Sequence, residues 1–385
     1  LRILYFTSVD ASDDMAPSVH VRGTCKALKN LGHSVALIHA SPSKTKSFAP
    51  DWLDLISDVP WPEIRGGWKL FQIHAAFRLV QITRTWKPDV IYIRSALGKI
   101  LEAGLRQCKV SVVLEVNGSN LLENPNTQRS LKVCDRILVD NSTLADDLRE
   151  SFPEHGDKIR IHLTFVTDAD HFRPIDRVTA CETLGLDPGV LRLLHVSSFQ
   201  PWHDFDTMIT AVQELEKRFQ IPIELRLIGD GPLRKPLLKR IVSEGLDKLI
   251  TIPGRVKHFE LPGHIAMCSA AIDLFTSDRL EGGKNLGAYK IYEYMACQRP
   301  VITAVSSNYS PPDWARDNLA LIPPEDSEAL IAAIETITDY PSIWEEKATH
   351  ARNHVRTHNT WRAATETTLV HLEELMTTRR APYGG

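Results

Sequence analysis

Leu191-Arg-Leu-Leu-His-Val-Ser-Ser-Phe199 is an apolar, strand-like run that ends in two hydroxyl residues before a loop. Leu1-Arg-Ile-Leu-Tyr-Phe-Thr-Ser-Val9 repeats that pattern at the start of the chain. Two first strands of one kind within 385 residues imply two like domains, since a single core rarely grows to that size. Outward from each, strand-like runs alternate with helical patterns. The first half has Arg2–Thr7, Ser34–His39, Val90–Ile93, Ser111–Val116, Arg136–Val139 and Lys158–Leu163. The second has Leu191–Ser197, Ile223–Ile228, Leu249–Pro253, Ala271–Thr276, Pro300–Ala304 and Ala320–Ile322. Such alternation predicts an α/β fold with a doubly wound, Rossmann-like parallel sheet in each half. Two such sheets facing each other make a cleft, with ligands at the carboxyl ends of the strands. The seam lies in His171–Val190, rich in Pro, Asp and Gly, which gives domains over 1–172 and 173–358. Residues 359–385 hold a helix with Leu369, Leu372 and Leu375 among polar residues, then a tail, Ala381–Gly385, predicted to be disordered.

Charge is nearly balanced, at a formal −3, which argues against nucleic acid as the main partner. The six cysteines are scattered without a Cys-x-x-Cys, so neither a zinc site nor a disulfide framework is expected, and a reducing cytoplasm fits. No apolar run is long enough to span a bilayer. Leu1–Val9 reads as a strand, not a secretory leader, and the missing start Met suggests a trimmed chain. Trp68–Trp86 is helix-like, with Phe71, Ile73, Phe77, Leu79, Val80 and Ile82 beside Lys69, Arg78 and Arg84. Packing on the first sheet is its expected role. The alternative is peripheral contact with the inner face of a membrane, near a lipid-linked acceptor.

The chemistry concentrates in Asn285-Leu-Gly-Ala-Tyr-Lys-Ile-Tyr-Glu-Tyr-Met-Ala-Cys-Gln-Arg-Pro-Val-Ile302. It reads as loop, short helix, strand. The N–H groups of Leu286, Gly287 and Ala288 open the helix and suit a phosphate. Lys290 adds a positive charge, and Glu293, three residues on, a carboxylate for a sugar diol. An ordinary amphipathic helix with a solvated Lys–Glu pair explains the same spacing. Gly229-Asp230-Gly231-Pro ends a strand and either makes a tight turn or touches ligand. In the first half, Ser18, His20 and Arg22 lie in the first loop and helix start, and Arg94, Glu115 and Asn117 at strand ends. Glu115 is placed to act as a base on an acceptor hydroxyl; pairing with Arg94 is its other reading. No Asp-x-Asp is placed directly at the end of a strand to hold a metal, and Asp13-Asp14, with Asp10 nearby, lacks that spacing, so no metal is expected.

The motifs, in order, resemble glycosyltransferase family 4, retaining enzymes of GT-B fold that move a sugar from a nucleotide-sugar. The resemblance runs through Arg2–Ser8, Ser18-Val-His-Val-Arg-Gly23, Pro88-Asp-Val-Ile-Tyr-Ile-Arg94 and Leu114-Glu-Val-Asn117. It is closer in Phe199-Gln-Pro-Trp-His-Asp204, Ile228-Gly-Asp-Gly-Pro232, Pro253-Gly-Arg-Val256, Tyr292-Glu-Tyr-Met-Ala296 and Arg299-Pro-Val-Ile302. Trp361 is similar to a family Trp that opens a last helix crossing back to the N-terminal domain. The resemblance implies Ser198, His203 and Lys290 at the diphosphate, Glu293 at the ribose and the backbone around Arg255 and Val256 at the base. It implies Asn285 near the donor sugar, and front-face transfer in which the leaving phosphate takes the acceptor proton. The expected donor is a UDP- or GDP-sugar, and the acceptor a glycan, a lipid-linked or a small-molecule hydroxyl. No separate cofactor is implied. The chain departs from the pattern at Ser198 and His203, where the family has Arg and Lys, at Asp204 for Gly, at Asn285 for Glu and at Gln298 for Gly. A binding subunit with weak catalysis, or an epimerase on the same fold, are the alternative readings.

Overall fold

The structure is a computed structural model that describes residues 1–13, 15–41, 48–62, 64, 66–95, 97–116, 125–218, 221–278, 289–306 and 311–380. Asn117, Lys284, Asn285, Leu286, Gly287, Ala288 and the tail Ala381–Gly385 lie outside the described residues. The chain forms two compact units, Leu1–Thr164 with Trp361–Gly385, and Phe165–Thr360. The second unit begins and ends on paired backbone. Thr167 bridges Thr360, the Thr167 N–H donates to Asn359 O at 2.9 Å, and Asn359 Nδ2 donates to Phe165 O at 2.9 Å.

The first unit has strands β1 (Arg2–Thr7), β2 (Ser34–Ser41), β3 (Leu55–Pro60), β4 (Val90–Arg94), β5 (Ser111–Val116), β6 (Arg136–Val139) and β7 (Ile159–Ile161). They form one parallel sheet in the order β3-β2-β1-β4-β5-β6-β7. The second has β8 (Leu191–Ser197), β9 (Ile223–Gly229), β10 (Ile250–Gly254), β11 (Ala270–Asp273), β12 (Val301–Ala304) and β13 (Ala320–Ile322). Their order is β10-β9-β8-β11-β12-β13, again all parallel. Both are doubly wound Rossmann-like sheets, and together they make the GT-B fold. In each, strand order reverses beside the first strand, between β1 and β4 and between β8 and β11, where open α/β sheets bind ligands.

Strand β3 is absent from the expected set. Leu-Ile-Ser-Asp-Val-Pro reads as a loop because Asp and Pro are poor strand formers. It is tolerated because β3 is an edge strand, where Pro60 interrupts no further ladder. Asp58 is held by His39 Nε2 at 2.9 Å.

Near-continuous apolar strands show that both faces of each sheet are covered. On one face of the first sheet, the helix Gly67–Trp86 packs Phe71, Ala75, Leu79 and Ile82 among Leu4, Phe6, Ile38 and Ile91. The core-packing reading of that helix holds for this face only. Its other face exposes Leu70, Ile73 and Phe77, the last 65% exposed. The opposite face of the sheet is covered by helices Ala16–Asn30 and Trp361–Arg380. Leu369, Leu372 and Leu375 join Ile3, Tyr5, Val35 and Leu37 in one cluster. Gly23 makes this contact close: a Cβ there would lie 2.4 Å from the Trp361 ring.

Two departures from the family pattern have local explanations. Asp204 caps the helix Phe205–Arg218, accepting from the Thr207 N–H at 3.1 Å. Gln298 ends the helix Tyr289–Ala296 in the left-handed region, φ 57°, the conformation a glycine would adopt there. Its side chain is tied to Thr349 Oγ1 at 2.8 Å.

Candidate functional site

In the second unit, polar groups gather at the carboxyl edge beside β8 and β11. Asp273 ends β11 and is fully buried. Lys290, in the first turn of the helix Tyr289–Ala296, reaches it with Nζ 2.6 Å from Oδ1. The ammonium also lies 5.2 Å from the Phe275 ring centroid, and His203 packs on the same ring at 5.4 Å. Phe275 thus holds His203 and Lys290 on one small patch. Burial pushes Lys290 below the usual lysine range; the Asp273 carboxylate, by charge and hydrogen bond, and Glu293 oppose that fall. His195 on β8 donates from Nδ1 to Ile272 O at 2.9 Å. Burial, reinforced by Lys290 and His203, keeps it well below the usual histidine range and so neutral. The Val196 N–H donates to Tyr294 Oη at 2.9 Å, which ties the helix to β8.

Glu293 lies one turn beyond Lys290 and does not pair with it. Its Oε1 is 3.1 Å from His258 Nε2, a residue of the loop after β10. In place of the solvated Lys–Glu pair of the alternative reading stand two separate pairs, Lys290–Asp273 and Glu293–His258. Asp273 and His258 went unread in the sequence. A charged residue ending the apolar run Ala-Ala-Ile-Asp was the only signal for the first, and no local pattern marks the second.

His203 itself is buried, its Nδ1 accepting from the Gln200 N–H at 3.1 Å. Ser198 is exposed in the loop after β8, and Arg255 is exposed after β10, with Val256 half-buried. Gly229 and Gly231 serve close approach. A Cβ on either would lie 1.8 and 1.9 Å from the Ser197 and Ser198 carbonyl oxygens, and their φ angles are 141° and 156°. Asp230 between them is exposed and accepts from the Gly231 N–H at 2.9 Å.

In the first unit the expected residues form a second cluster. Glu115 is buried on β5. Its Oε1 is 3.0 Å from His20 Nε2 and 3.2 Å from Arg94 Nε, and Tyr92 Oη donates to Oε2 at 2.9 Å. Burial raises the carboxyl, but His20, by charge and hydrogen bond, then Arg94 and His162, outweigh it and hold Glu115 well below the usual carboxylate range. The edge of His20 meets the Trp361 ring at 5.5 Å. Ser18 and Arg22 face the loop after β1. Ser18 Oγ donates to Asp10 O at 2.7 Å, and Arg22 Nη1 donates to Ala11 O at 2.7 Å and to Asp13 O. The structure thus joins His20, Arg94 and Glu115, and ties Ser18 and Arg22 to backbone carbonyls. Among the described residues, no group of three or more His, Cys, Asp or Glu side chains is arranged to hold a metal ion, and no helix is long and apolar enough to cross a membrane.

Residues 191–339 match the family model described as glycosyl transferases group 1, and residues 17–168 the model described as glycosyltransferase family 4. A D-inositol 3-phosphate glycosyltransferase of Rhodococcus erythropolis is 26% identical over 231 residues, 59% of this chain and 51% of that protein. The match therefore spans about half the length of that curated relative. Sucrose-phosphate synthase from Thermosynechococcus elongatus superposes with a TM-score of 0.75 at 15% identity, over 98% of this chain and 100% of that one. Anabaena HepE in complex with UDP gives 0.69 at 15% identity, over 97% and 100%. These structural likenesses speak for the fold, and the family models speak for the chemistry. The chain has the GT-B fold, and each of its halves matches the model of a glycosyltransferase family.

Proposed function

We propose that the chain is a retaining glycosyltransferase that moves a sugar from a UDP- or GDP-sugar to a hydroxyl acceptor by front-face transfer, without a metal. The observation that carries this reading is the set Lys290, Phe275 and His203 at the switch edge of the second sheet, with Glu293 one turn on. Cleaving the bond from anomeric carbon to phosphate builds negative charge on the leaving diphosphate, and a fixed ammonium stabilises it. Lys290, His203, Ser198 and the backbone of Leu286–Ala288 would meet the diphosphate. Glu293 would take the vicinal ribose hydroxyls, exchanging His258 for them, and Asn285 would face the donor sugar. The loops carrying Gly229, Asp230, Gly231, Arg255 and Val256 would border the nucleotide.

On the acceptor side, Ser18, His20, Arg22, Arg94, Glu115 and Asn117 belong to the reading. A carboxylate held below its usual range is a weak base. Glu115 therefore acts by fixing His20 and Arg94, and the acceptor proton goes to the leaving phosphate. Incubation in EDTA with a panel of UDP- and GDP-sugars and sugar acceptors tests the proposal. Free nucleoside diphosphate with a new glycoside is the expected result. A new nucleotide-sugar alone would mark an epimerase, and activity lost in EDTA but restored by Mg²⁺ would overturn the metal-free mechanism.

Glu293→Ala is expected to weaken nucleotide binding by about ten- to a hundredfold, the cost of charged hydrogen bonds. Its thermal melt should stay unchanged, because Glu293 lies outside the apolar clusters. Calorimetry showing equal affinity would make Glu293 merely the partner of His258. A lipid-linked acceptor would bring the first unit to a membrane. The face of Gly67–Trp86 that carries Leu70, Ile73 and Phe77, with Lys69 and Arg78 to either side, supports such contact. Co-sedimentation with anionic vesicles, lost in Phe77→Asp, is expected; sedimentation unaffected by that change would remove helix contact from the reading.

A further inference from the structure

Asp273 sits where a charge is costly. It ends an otherwise apolar strand, is fully buried, and lies at the point where strand order reverses between β8 and β11. Lys290 Nζ lies 2.6 Å from its Oδ1. We propose that Asp273 is a positioning residue of the donor site: its carboxylate holds Lys290 charged and stationary, so that an incoming diphosphate meets a standing ammonium. The inference rests on the reading of Lys290 as a diphosphate contact.

The physical case is one of compensation. An ammonium taken out of water without a counter-ion gives up its proton. Burial does push Lys290 down, and Asp273 is the largest influence opposing it. The other titratable groups around the pair cannot replace it. Glu293, on the same helix, is engaged by His258. His195, from β8, is neutral and donates to a backbone carbonyl. His203, from the loop after β8, packs its ring on Phe275 and accepts from a backbone N–H. Tyr294, raised well above the usual phenol range by burial, with Asp273 adding to it, remains a neutral phenol. Asp273 is therefore the one carboxylate paired with the ammonium among the described residues.

The consequence is a proton count. With Asp273 in place, Lys290 is already charged, and binding a nucleotide-sugar moves no proton. In Asp273→Asn, Lys290 is neutral in the ligand-free protein, and the arriving diphosphate draws a proton from solvent onto Nζ. UDP-glucose, with GDP-mannose as second probe, suits the measurement because neither carries a phosphate that titrates near neutrality.

Calorimetry at about pH 7.5 in buffers of different ionisation enthalpy is expected to show no proton uptake for the wild type and about one proton per ligand for Asp273→Asn. Affinity of the variant should fall by about tenfold per pH unit on the alkaline side, and be flat for the wild type. Adding Lys290→Arg to Asp273→Asn should abolish the pH dependence, because a guanidinium keeps its charge. Asp273→Asn with flat affinity and no uptake would overturn the inference. So would uptake of a proton by the wild type, a measurement that stands even if the variant fails to fold. Lys290→Met separates the two readings. It should weaken binding by at least tenfold, and if it does not, the donor-site role of Lys290 fails whatever Asp273 does. If neither probe binds the wild type, that role and this inference fall together.

Discussion

Glu115→Gln is expected to destabilise the first unit by about 3–5 kcal/mol at neutral pH, the cost of removing one partner from a buried ion pair. Glutamine fills the same space, so the loss is one of charge. Arg94 would keep its place without the carboxylate that compensates it, and His20 and the Tyr92 hydroxyl would lose an anionic partner. The pH dependence follows from the lowered carboxyl. The unfolded chain binds this proton at a higher pH than the folded one, so the stabilisation is complete above the ordinary glutamate value. It is lost as pH falls through the folded value, that is, in acid below about pH 4. Urea melts of wild type and variant at neutral pH should differ by the stated amount and converge in acid. Melts within about 0.5 kcal/mol at neutral pH, the usual spread for surface changes, would show that the cluster does not behave as a buried ion pair.

Removal of the helix Trp361–Arg380 has a larger expected effect, the loss of the first unit altogether. Leu369, Leu372 and Leu375 are each buried on the cluster built on Ile3, Tyr5, Val35 and Leu37. At about 1.5–3 kcal/mol per buried side chain, these three alone approach the 5–15 kcal/mol that holds a domain folded. The second unit shares none of this cluster and should persist. Limited proteolysis of a chain ending at Thr360 should leave a fragment near Phe165–Thr360 while the first unit is digested. Protection of both units would show that the helix is dispensable. Gly23→Leu tests the same contact within the full chain, since the Trp361 ring leaves no room for a Cβ. It should weaken the first unit alone, by about 1–3 kcal/mol as for other overpacked sites.

Both sheets were legible because parallel strands buried on two faces leave long apolar runs, and β8 and β1 share a pattern. Strand β3 was not, because an edge strand can carry Asp58 and Pro60 without cost. The helix Gly67–Trp86 was legible as a helix but only half legible in its packing, since Ile73 and Phe77 share the period of a core stripe and still face solvent. In the site, Lys290 and Glu293 stood out by spacing. Their partners did not, because Asp273 and His258 arrive from strands and loops 17 and 35 positions away, at distances that only folding sets. The sequence departures at Asp204 and Gln298 look like losses of glycine. One proves to be a helix cap, and the other takes up the left-handed angle in glycine's place.

The insertion of Phe165–Thr360 between the first sheet and the helix that covers it fixes an order of assembly on the ribosome. The second unit emerges complete while one face of the first sheet, with Ile3, Tyr5, Val35 and Leu37, still lacks the helix that covers part of it. At about 5–20 residues per second, that face waits on the order of ten seconds or more before Trp361 and the leucines behind it arrive. For that interval the nascent chain presents an apolar surface while the second unit is still being made. A chaperone that recognises apolar strands would find its substrate there, and slow translation of the inserted unit would lengthen the exposure.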